Sequence, residues 1–199
     1  MRSGAEATAT SFADAVTGKR VVHLATHGFF AGPECRSGLA GGQRLGQFGG
    51  DLGVGFNPMS LSGVVLAGVN LPHDALDPED GILTAEEVAA LDLRGTELVV
   101  LSACDTGAGE LSSGEGVLGL RRAFSAAGAE TMVMSLWAIP DEATRALMDD
   151  FYSAYLHKRK PKSAGESLRA AQLEMLRTRR AKFGEARPQD WAAFIVSGP

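Results

Sequence analysis

The stretch that decides the fold is Glu97-Leu98-Val99-Val100-Leu101-Ser102-Ala103, followed directly by Cys104. It is a nearly unbroken apolar run, the composition of a parallel strand that is covered on both faces. Such strands belong to α/β folds, in which helices pack on both sides of the sheet. Cys104 is therefore predicted at the carboxyl end of a central strand, where open α/β sheets place their ligands.

Further strands and helices alternate along the chain around this run. Strands are predicted at 20–25, 62–68 and 131–137,. Four helices are also predicted: one begins after Thr84, one ends at Gly128, one begins at Pro140 and Asp141, and one spans about Ser163–Phe183,. Thr84 and Glu87 have the spacing of a capping box, and that short helix is predicted to end near Asp92. The alternation predicts a mostly parallel sheet with right-handed crossovers.

The composition favours one soluble domain. The chain has 199 residues, 45% of them hydrophobic, and a net charge of −5, so it can bury a real core and offers no basic surface for nucleic acid. Two cysteines in a chain of this length do not predict a disulfide framework. The chain opens without a charged and then apolar leader, and it contains no apolar run of about 20 residues that would span a membrane. We therefore expect a cytoplasmic protein that binds neither nucleic acid nor membrane.

A Cys–His pair is the chemistry that this arrangement predicts. The first predicted strand stops at Thr26-His27-Gly28, and Cys104 ends the central strand, so both side chains are expected at one edge of the sheet. A catalytic thiol needs a neighbouring base or a lowered pKa. The N–H groups of Gly28 and Cys104 can together form an oxyanion hole.

Each half of this pair also has a purely structural interpretation. A cysteine at a strand end is often a small buried apolar residue, and a single histidine is often a structural one. Glycine-rich segments follow both residues, at 31–57 and at Asp105–Gly114. We expect them to shape a groove, which favours the functional interpretation.

Several blocks of sequence, in one order, resemble the CHAT domain. They are Val22-His23-Leu24-Ala25-Thr26-His27-Gly28, Asp80-Gly81-Ile82-Leu83-Thr84-Ala85-Glu86-Glu87, Leu98 to Gly107, Gly114-Glu115-Gly116-Val117, Arg122-Ala123-Phe124, Ser135-Leu136-Trp137, Asp141-Glu142-Ala143-Thr144 and Trp191-Ala192-Ala193-Phe194. The resemblance implies a bacterial relative of caspases and separases, with a caspase-like three-layer α/β sandwich. It also implies a cysteine endopeptidase with His27 and Cys104 as the dyad and Gly28 at the oxyanion position, often coupled to tetratricopeptide repeats.

The resemblance also sets the expected domain limits. Residues 20–199 correspond to the CHAT domain, and residues 1–19 are predicted to be an N-terminal remnant or linker. A family domain usually has a further strand-and-helix portion before the histidine strand, so one sheet edge is expected to be bare. We therefore expect low activity from the isolated chain until an upstream segment or an activating partner completes the domain.

Two acidic residues are weaker candidates for substrate binding. Asp105 follows the nucleophile, and its alternative role is a hydrogen bond to the turn backbone. Asp141 can read a basic substrate side chain, and its alternative role is the N-cap of the following helix. Cys35 has no partner motif, and His23 is predicted in the core. The spacing of His73 and His157 does not support a metal site.

The function predicted is peptide-bond hydrolysis through an acyl-enzyme on Cys104, with no cofactor. Two alternatives remain open. One is a non-catalytic module that keeps the fold as a scaffold, and the other is a Cys–His amidase that acts on small molecules. A large enclosed pocket would favour the amidase, and an open groove at the rim of the sheet would favour the peptidase.

Overall fold

The structure, a computed structural model, describes residues 1–30, 59, 62–72, 80–103, 113–137, 139–157 and 162–198. The strands are β1 (Val21–Phe30), β2 (Ser62–Val65), β3 (Ile82–Thr84), β4 (Leu98–Ala103), β5 (Thr131–Ser135) and β6 (Phe194–Ser197). The helices are α1 (Ala9–Val16), α2 (Ala85–Ala89), α3 (Ser113–Ala126), α4 (Asp141–Tyr155), α5 (Ala164–Phe183) and α6 (Pro188–Trp191), preceded by a 3₁₀ turn at Gly4–Glu6.

The six strands form one sheet in the order β3-β2-β1-β4-β5-β6. The pairs β1–β4 and β4–β5 are parallel, and the other three pairs are antiparallel. Four strands, β1, β3, β4 and β5, consequently run in one direction. The mostly parallel sheet confirms the predicted α/β class.

Two apolar cores lie on opposite faces of this sheet. On β4, Val99 and Leu101 pack into the core that includes α1, α2 and α3. Their neighbours Leu98 and Val100 point to the other face and pack against α4 and α5. Successive strand residues face opposite sides, which is why an unbroken apolar run is needed here. Helices on both faces confirm the three-layer sandwich.

Local sequence signals placed several ends of elements correctly. Thr84 and Glu87 form the predicted capping box, and Ser163 with Glu166 forms a second one at the start of α5. Gly128, just beyond the end of α3, has φ +108°, a conformation that favours glycine.

Other expectations were wrong in detail. Residues 82–84 form β3, which was not predicted, and α2 ends at Ala89 rather than near Asp92. The strand predicted at 62–68 ends at Val65 and pairs antiparallel with β1. β3 has three residues, which are too few to show the alternation of apolar and polar residues that predicts a strand. It was therefore not predicted.

The N-terminal residues contact the first core. Ala9 and Val16 of α1 are buried, and Phe12 packs beside them. Thr8 caps this helix by accepting a hydrogen bond from the Ser11 N–H. Whether a domain boundary falls between residues 19 and 20 stays a prediction.

The strand β1 changes partner half-way along. Its first part, Val21–Thr26, pairs with β4, and its second part, His27–Phe30, pairs with β2. The Thr26 hydroxyl donates to the Val65 carbonyl where the two ladders meet. Among the described residues, His27 is therefore the first residue of β1 beyond its pairs with β4.

Candidate active site

The position of His27 differs from the prediction in one respect. β1 continues through His27 to Phe30, so the histidine is inside a strand and not at its end. The predicted stop at Thr26-His27-Gly28 was wrong because β2 pairs with the continuation. Thr26 is nevertheless opposite Ala103, the last residue of β4. The described part of the β1–β4 ladder thus reaches the residues that precede His27 and Cys104, and Cys104, Asp105 and Cys35 lie outside the described residues.

The peptide group of Gly28 faces away from β2. The Leu98 N–H donates to the Arg20 carbonyl at 3.2 Å, so the N–H and C=O groups of even-numbered residues in β1 point towards β4. Peptide groups alternate in direction along a strand, so His27 and Phe29 bond towards β2 and Gly28 points to the opposite side. That is the side on which β4 ends. Gly28 is buried, and its N–H points to this side; its role as an oxyanion donor stays a prediction.

A cleft of about 620 Å³ opens between the sheet and α4. From β1 it is lined by His23, Ala25 and His27, which alternate onto one face, together with Thr26, and from β4 by Ser102. One stripe of α4 forms the opposite wall, through Asp141, Thr144, Arg145, Met148, Asp149 and Tyr152. These α4 positions recur every three or four residues, as expected for one face of a helix.

Asp141 and His27 line this same cleft. Asp141 is the first residue of α4, and the N-cap is Pro140, with no side-chain cap. The alternative role predicted for Asp141, as the N-cap of this helix, was therefore wrong. A proline before the aspartate occupies that position. Within the described residues Asp141 forms no ion pair, whereas Arg145 and Asp149 pair at 3.9 Å.

Thr144 adds a polar atom to the wall of the cleft. Its Oγ1 is buried and has no hydrogen-bond partner among the residues that the structure describes. An unsatisfied buried hydroxyl costs about 1–3 kcal/mol. A polar group bound in the cleft can satisfy it.

The expectation that His23 is a core residue was wrong. The side chain is exposed to the cleft, and its Nδ1 lies 3.0 Å from the Tyr152 hydroxyl, with which it shares a hydrogen bond. Tyr152 nevertheless packs against part of the imidazole, and the partial loss of water there lowers the pKa of His23 from its ordinary value of 6.5. Burial also raises the pKa of Tyr152 to about 12. The signal that sequence reasoning missed is the separation of four residues between His23 and His27, which is twice the strand period of two and places both on one strand face.

We predict that His23 makes the folded state less stable at acidic pH. Its pKa is lower in the folded chain than in the unfolded chain, so the unfolded state binds more protons just below pH 6.5,. Its contribution to stability is present above pH 6.5 and is lost as pH falls through that value towards the folded pKa. Urea unfolding at pH 7.5, 6.5 and 5.5 should show a steeper loss for the parent than for His23→Gln. An equal change in the free energy of unfolding with pH for the two proteins, or an NMR titration midpoint of His23 above 6.5, would contradict this.

Comparison with known proteins supplies the family. The family profile described as "CHAT domain" matches residues 1–199. The chain belongs to the CHAT domain family. The predicted resemblance is thereby confirmed, and the match extends over residues 1–19 as well.

Two similar relatives of this CHAT domain are mammalian. Tetratricopeptide repeat protein 28 of Homo sapiens is 33% identical over 118 residues, and that of Mus musculus is 34% identical over 119 residues. Each match covers 59% of this chain and 4% of the relative. The chain therefore spans a small part of these relatives, and the bacterial origin that the resemblance implied is not shown by them. The names of both relatives fit the predicted connection of the CHAT domain with tetratricopeptide repeats.

In the part of the chain that the structure describes, no helix combines the length and the apolar character needed to cross a bilayer.

Proposed function

We propose that this CHAT domain is a cysteine endopeptidase in which Cys104 is the nucleophile and His27 is the acid/base group. The observation that carries the proposal is the register of β1 and β4. Thr26 is opposite Ala103. In the sequence, His27 follows Thr26 and Cys104 follows Ala103. If β4 continues its alternation for one more residue, Cys104 follows Ser102 onto the face that lines the cleft with His27.

The reaction that this pair can perform has two halves. The thiolate of Cys104 attacks the carbonyl carbon of the scissile bond, and His27 delivers a proton to the leaving amine as the C–N bond breaks. A thioester to Cys104 remains. Water, deprotonated by His27, then attacks the thioester, and the acid and the free thiol are released. We propose that the N–H of Gly28, which points away from β2, stabilises the oxyanion of each tetrahedral intermediate together with the N–H of Cys104.

The shape of the cleft favours a peptide substrate over a small molecule. Its α4 wall carries the exposed side chains Asp141, Arg145 and Asp149, so the space is a groove at the rim of the sheet and not an enclosed chamber. An extended peptide fits such a groove. The amidase alternative has no comparable support among the described residues.

Reactivity of the thiol tests this proposal without knowledge of the substrate. Alkylation by iodoacetamide, followed by peptide mass spectrometry, measures the rate at Cys104 and at Cys35 in the same sample. We expect Cys104 to react at least about tenfold faster at pH 6.5, because a neighbouring imidazole favours the thiolate, and His27→Ala should remove that difference. Equal rates for the two cysteines, unaffected by His27→Ala, would reject the dyad.

A non-catalytic scaffold is the second candidate. It is favoured by the two relatives, whose names describe tetratricopeptide repeat proteins and no catalytic activity. An inert Cys104 in the alkylation experiment would support this candidate. Fast alkylation of Cys104 would favour the peptidase. For the peptidase we propose a protein substrate, an activating tetratricopeptide-repeat partner and a cytoplasmic location.

Asp141 is proposed to select a basic side chain in the substrate. It is exposed, lines the cleft with His27 and forms no ion pair within the described residues. We predict that Asp141→Asn lowers kcat/KM for a peptide with a basic residue next to the scissile bond by about 10-fold or more, since a charge-assisted hydrogen bond contributes roughly 1.5–3 kcal/mol. Peptides with a neutral residue there should change less than about threefold.

Glu142 provides a matched control for this variant. It is the next residue of the same helical turn and lines a different groove, between α4 and α5. Glu142→Gln removes one negative charge at almost the same distance from the helix start. Equal losses for the two variants would show a general field effect and would refute selection by Asp141. For Asp105 the proposed role in substrate binding stays a prediction.

A further inference from the structure

We propose that α4 selects protein substrates by a pattern of charge, in which an acidic residue two positions from the basic residue at Asp141 binds to Arg145. The selection rests on the proposed peptidase function, because it concerns the substrate of the same cleft. Asp141, Arg145 and Asp149 all line that cleft and are exposed. Each is four residues from the next, so they lie on one face of the helix, and their charges alternate in sign.

The helix α4 runs along the cleft, away from the edge of the sheet at His27. Asp141 begins the helix just after β5, whose carboxyl end lies at the same edge as that of β4, because the two strands are parallel. Towards the other end of the helix, the Tyr152 hydroxyl lies 3.0 Å from Nδ1 of His23. His23 precedes His27 by four residues, which is about 13 Å along a strand. Arg145 is therefore farther from the edge than Asp141.

The spacing of the charges matches that of an extended peptide. Four residues of an α-helix rise about 6 Å, and side chains on one side of an extended chain recur about every 6.6–6.8 Å, once in two residues. The two spacings differ by less than about 1 Å over one repeat. A peptide that lies along α4 with a basic side chain at Asp141 thus presents the side chain two residues away to Arg145. Its neighbours in the peptide point to the other side.

Arg145 has a weak partner that a substrate carboxylate can replace. Its guanidinium is 3.9 Å from the Asp149 carboxylate, and the two side chains are 86% and 76% exposed. Ion pairs with this exposure contribute little, because water screens both charges. A bound peptide excludes water, which strengthens a new pair with the guanidinium. Asp149 competes for Arg145 and repels an incoming carboxylate, so it opposes the selection.

The position of these charges favours a substrate as the occupant of the cleft. His27 lines the cleft together with Asp141 and Arg145, so a peptide bound at the candidate dyad is next to this face of α4. One segment of the chain itself, Glu34-Cys35-Arg36, has an acid two positions from a base and lies outside the described residues. That segment and a second copy of the chain are rival occupants, and experiment distinguishes both from an added peptide.

Binding to the full chain with Cys104→Ala tests the charge pattern without cleavage. The probes are two series of fluorescein-labelled peptides, Ala-Xaa-Ala-Arg-Ala-Ala and Ala-Ala-Ala-Arg-Ala-Xaa, in which Xaa is Glu, Gln or Lys. In one series at least, we expect fluorescence anisotropy to show Kd rising in the order Glu, Gln, Lys, by about fivefold or more in total. With Xaa directly before or after the arginine, the order should disappear. Equal Kd values for the three residues in both series would overturn the proposal.

Variants of the charged residues on α4 show whether Arg145 is the group that selects. Arg145→Gln should abolish the order of the three peptides, and Arg145→Glu should reverse it, so that the Lys peptide binds about threefold or more tighter than the Glu peptide. Asp149→Asn should widen the difference, because it removes the competing carboxylate. A reversal is a gain of binding, which a folding defect does not produce. The original order in a folded Arg145→Glu protein would refute the role of Arg145.

Arg169→Gln is the matched control for the loss of a positive charge. Arg169 is an exposed arginine of α5 that does not line the cleft, and its removal should leave the order of the peptides unchanged. An equal loss of the order in Arg169→Gln and Arg145→Gln would show a general effect of net charge and would overturn the proposal.

The rival occupants have their own readouts. If the segment with Glu34 and Arg36 filled the cleft, Arg36→Ala would free it, and the Glu peptide would bind about tenfold or more tighter than before. That gain would overturn the assignment to a substrate, and so would a dimer in sedimentation experiments that Arg145→Glu dissociates. We expect a monomer and no gain.

Failure of the charge pattern and failure of the peptidase give different results. A parent protein that cleaves arginine peptides at the same rate for all three residues at Xaa would overturn the charge pattern and retain the peptidase. The expected order of Kd values, in a chain whose Cys104 is inert towards iodoacetamide, would reject the peptidase and retain the charge pattern as a property of a binding cleft.

Discussion

Cys104→Ala and His27→Ala should each lower kcat/KM for a cleaved peptide by at least about 10³-fold, with little change in stability. The first variant removes the nucleophile, and the second removes the group that protonates the leaving amine. Losses of this size are typical when one member of a catalytic pair is removed. The peptide would come from a library cleaved by the parent, and the rates would be measured by mass spectrometry.

The controls for these variants use the other members of each residue type. Cys35→Ala tests the loss of a thiol, and His157→Ala tests the loss of an exposed imidazole at the end of α4. Both should keep kcat/KM within about threefold of the parent. Because removal of two residues that act as a unit is non-additive, the double variant of Cys104 and His27 should be no slower than Cys104→Ala. Activity of either dyad variant within a few-fold of the parent would refute the assignment.

Phe151→Ala should destabilise the protein by about 3–5 kcal/mol. Phe151 is fully buried in the second core. Its ring meets Tyr152 edge-on at 5.0 Å and stacks on Tyr155 at 5.7 Å. The substitution leaves a cavity between α4 and the sheet, in addition to the lost transfer free energy. The effect would be read from the urea midpoint at constant slope.

Phe183→Ala is the matched substitution on the surface. Phe183 is the last residue of α5 and is 59% exposed, so the same atoms are removed with little loss of buried area. We expect a change of less than about 1 kcal/mol. A similar loss for the two variants would show that the second core does not depend on Phe151.

The fold was predictable wherever one short stretch contains its own signal. The apolar run of β4 needs cover on both faces, and capping residues Thr84 and Ser163 begin helices by local hydrogen bonds. β3 and the second half of β1 depend on each other through β2. Their order comes from pairing between segments that are distant in sequence, which periodicity does not report.

The candidate site divides in the same way. Residue type and glycine neighbours indicated His27 and Gly28, because backbone approach and acid/base chemistry have recognisable requirements. The contribution of α4 depends on which helix face meets the sheet. Thr144 and Tyr152 were therefore missed, and His23 was placed in the core. For Asp141 the sequence offered two roles; the N-cap role was wrong, since Pro140 is the N-cap, and the role in substrate binding stays a prediction.

The change of partner along β1 has a consequence for folding during synthesis. β1 pairs with β2 over a short separation, but Val21 meets Leu98, 77 positions later. At about 5–20 residues per second, the ribosome needs roughly 4–15 s between making these two residues. Of the sheet, only the antiparallel unit β1–β2–β3 precedes residue 98, so we expect no other strand pairing in that time. Amide protection at Val22 in a stalled nascent chain ending before residue 98 would contradict this. The second half of β1, which contains His27 and pairs with β2, is thus expected to form first. The first half pairs with β4 and is expected to form last.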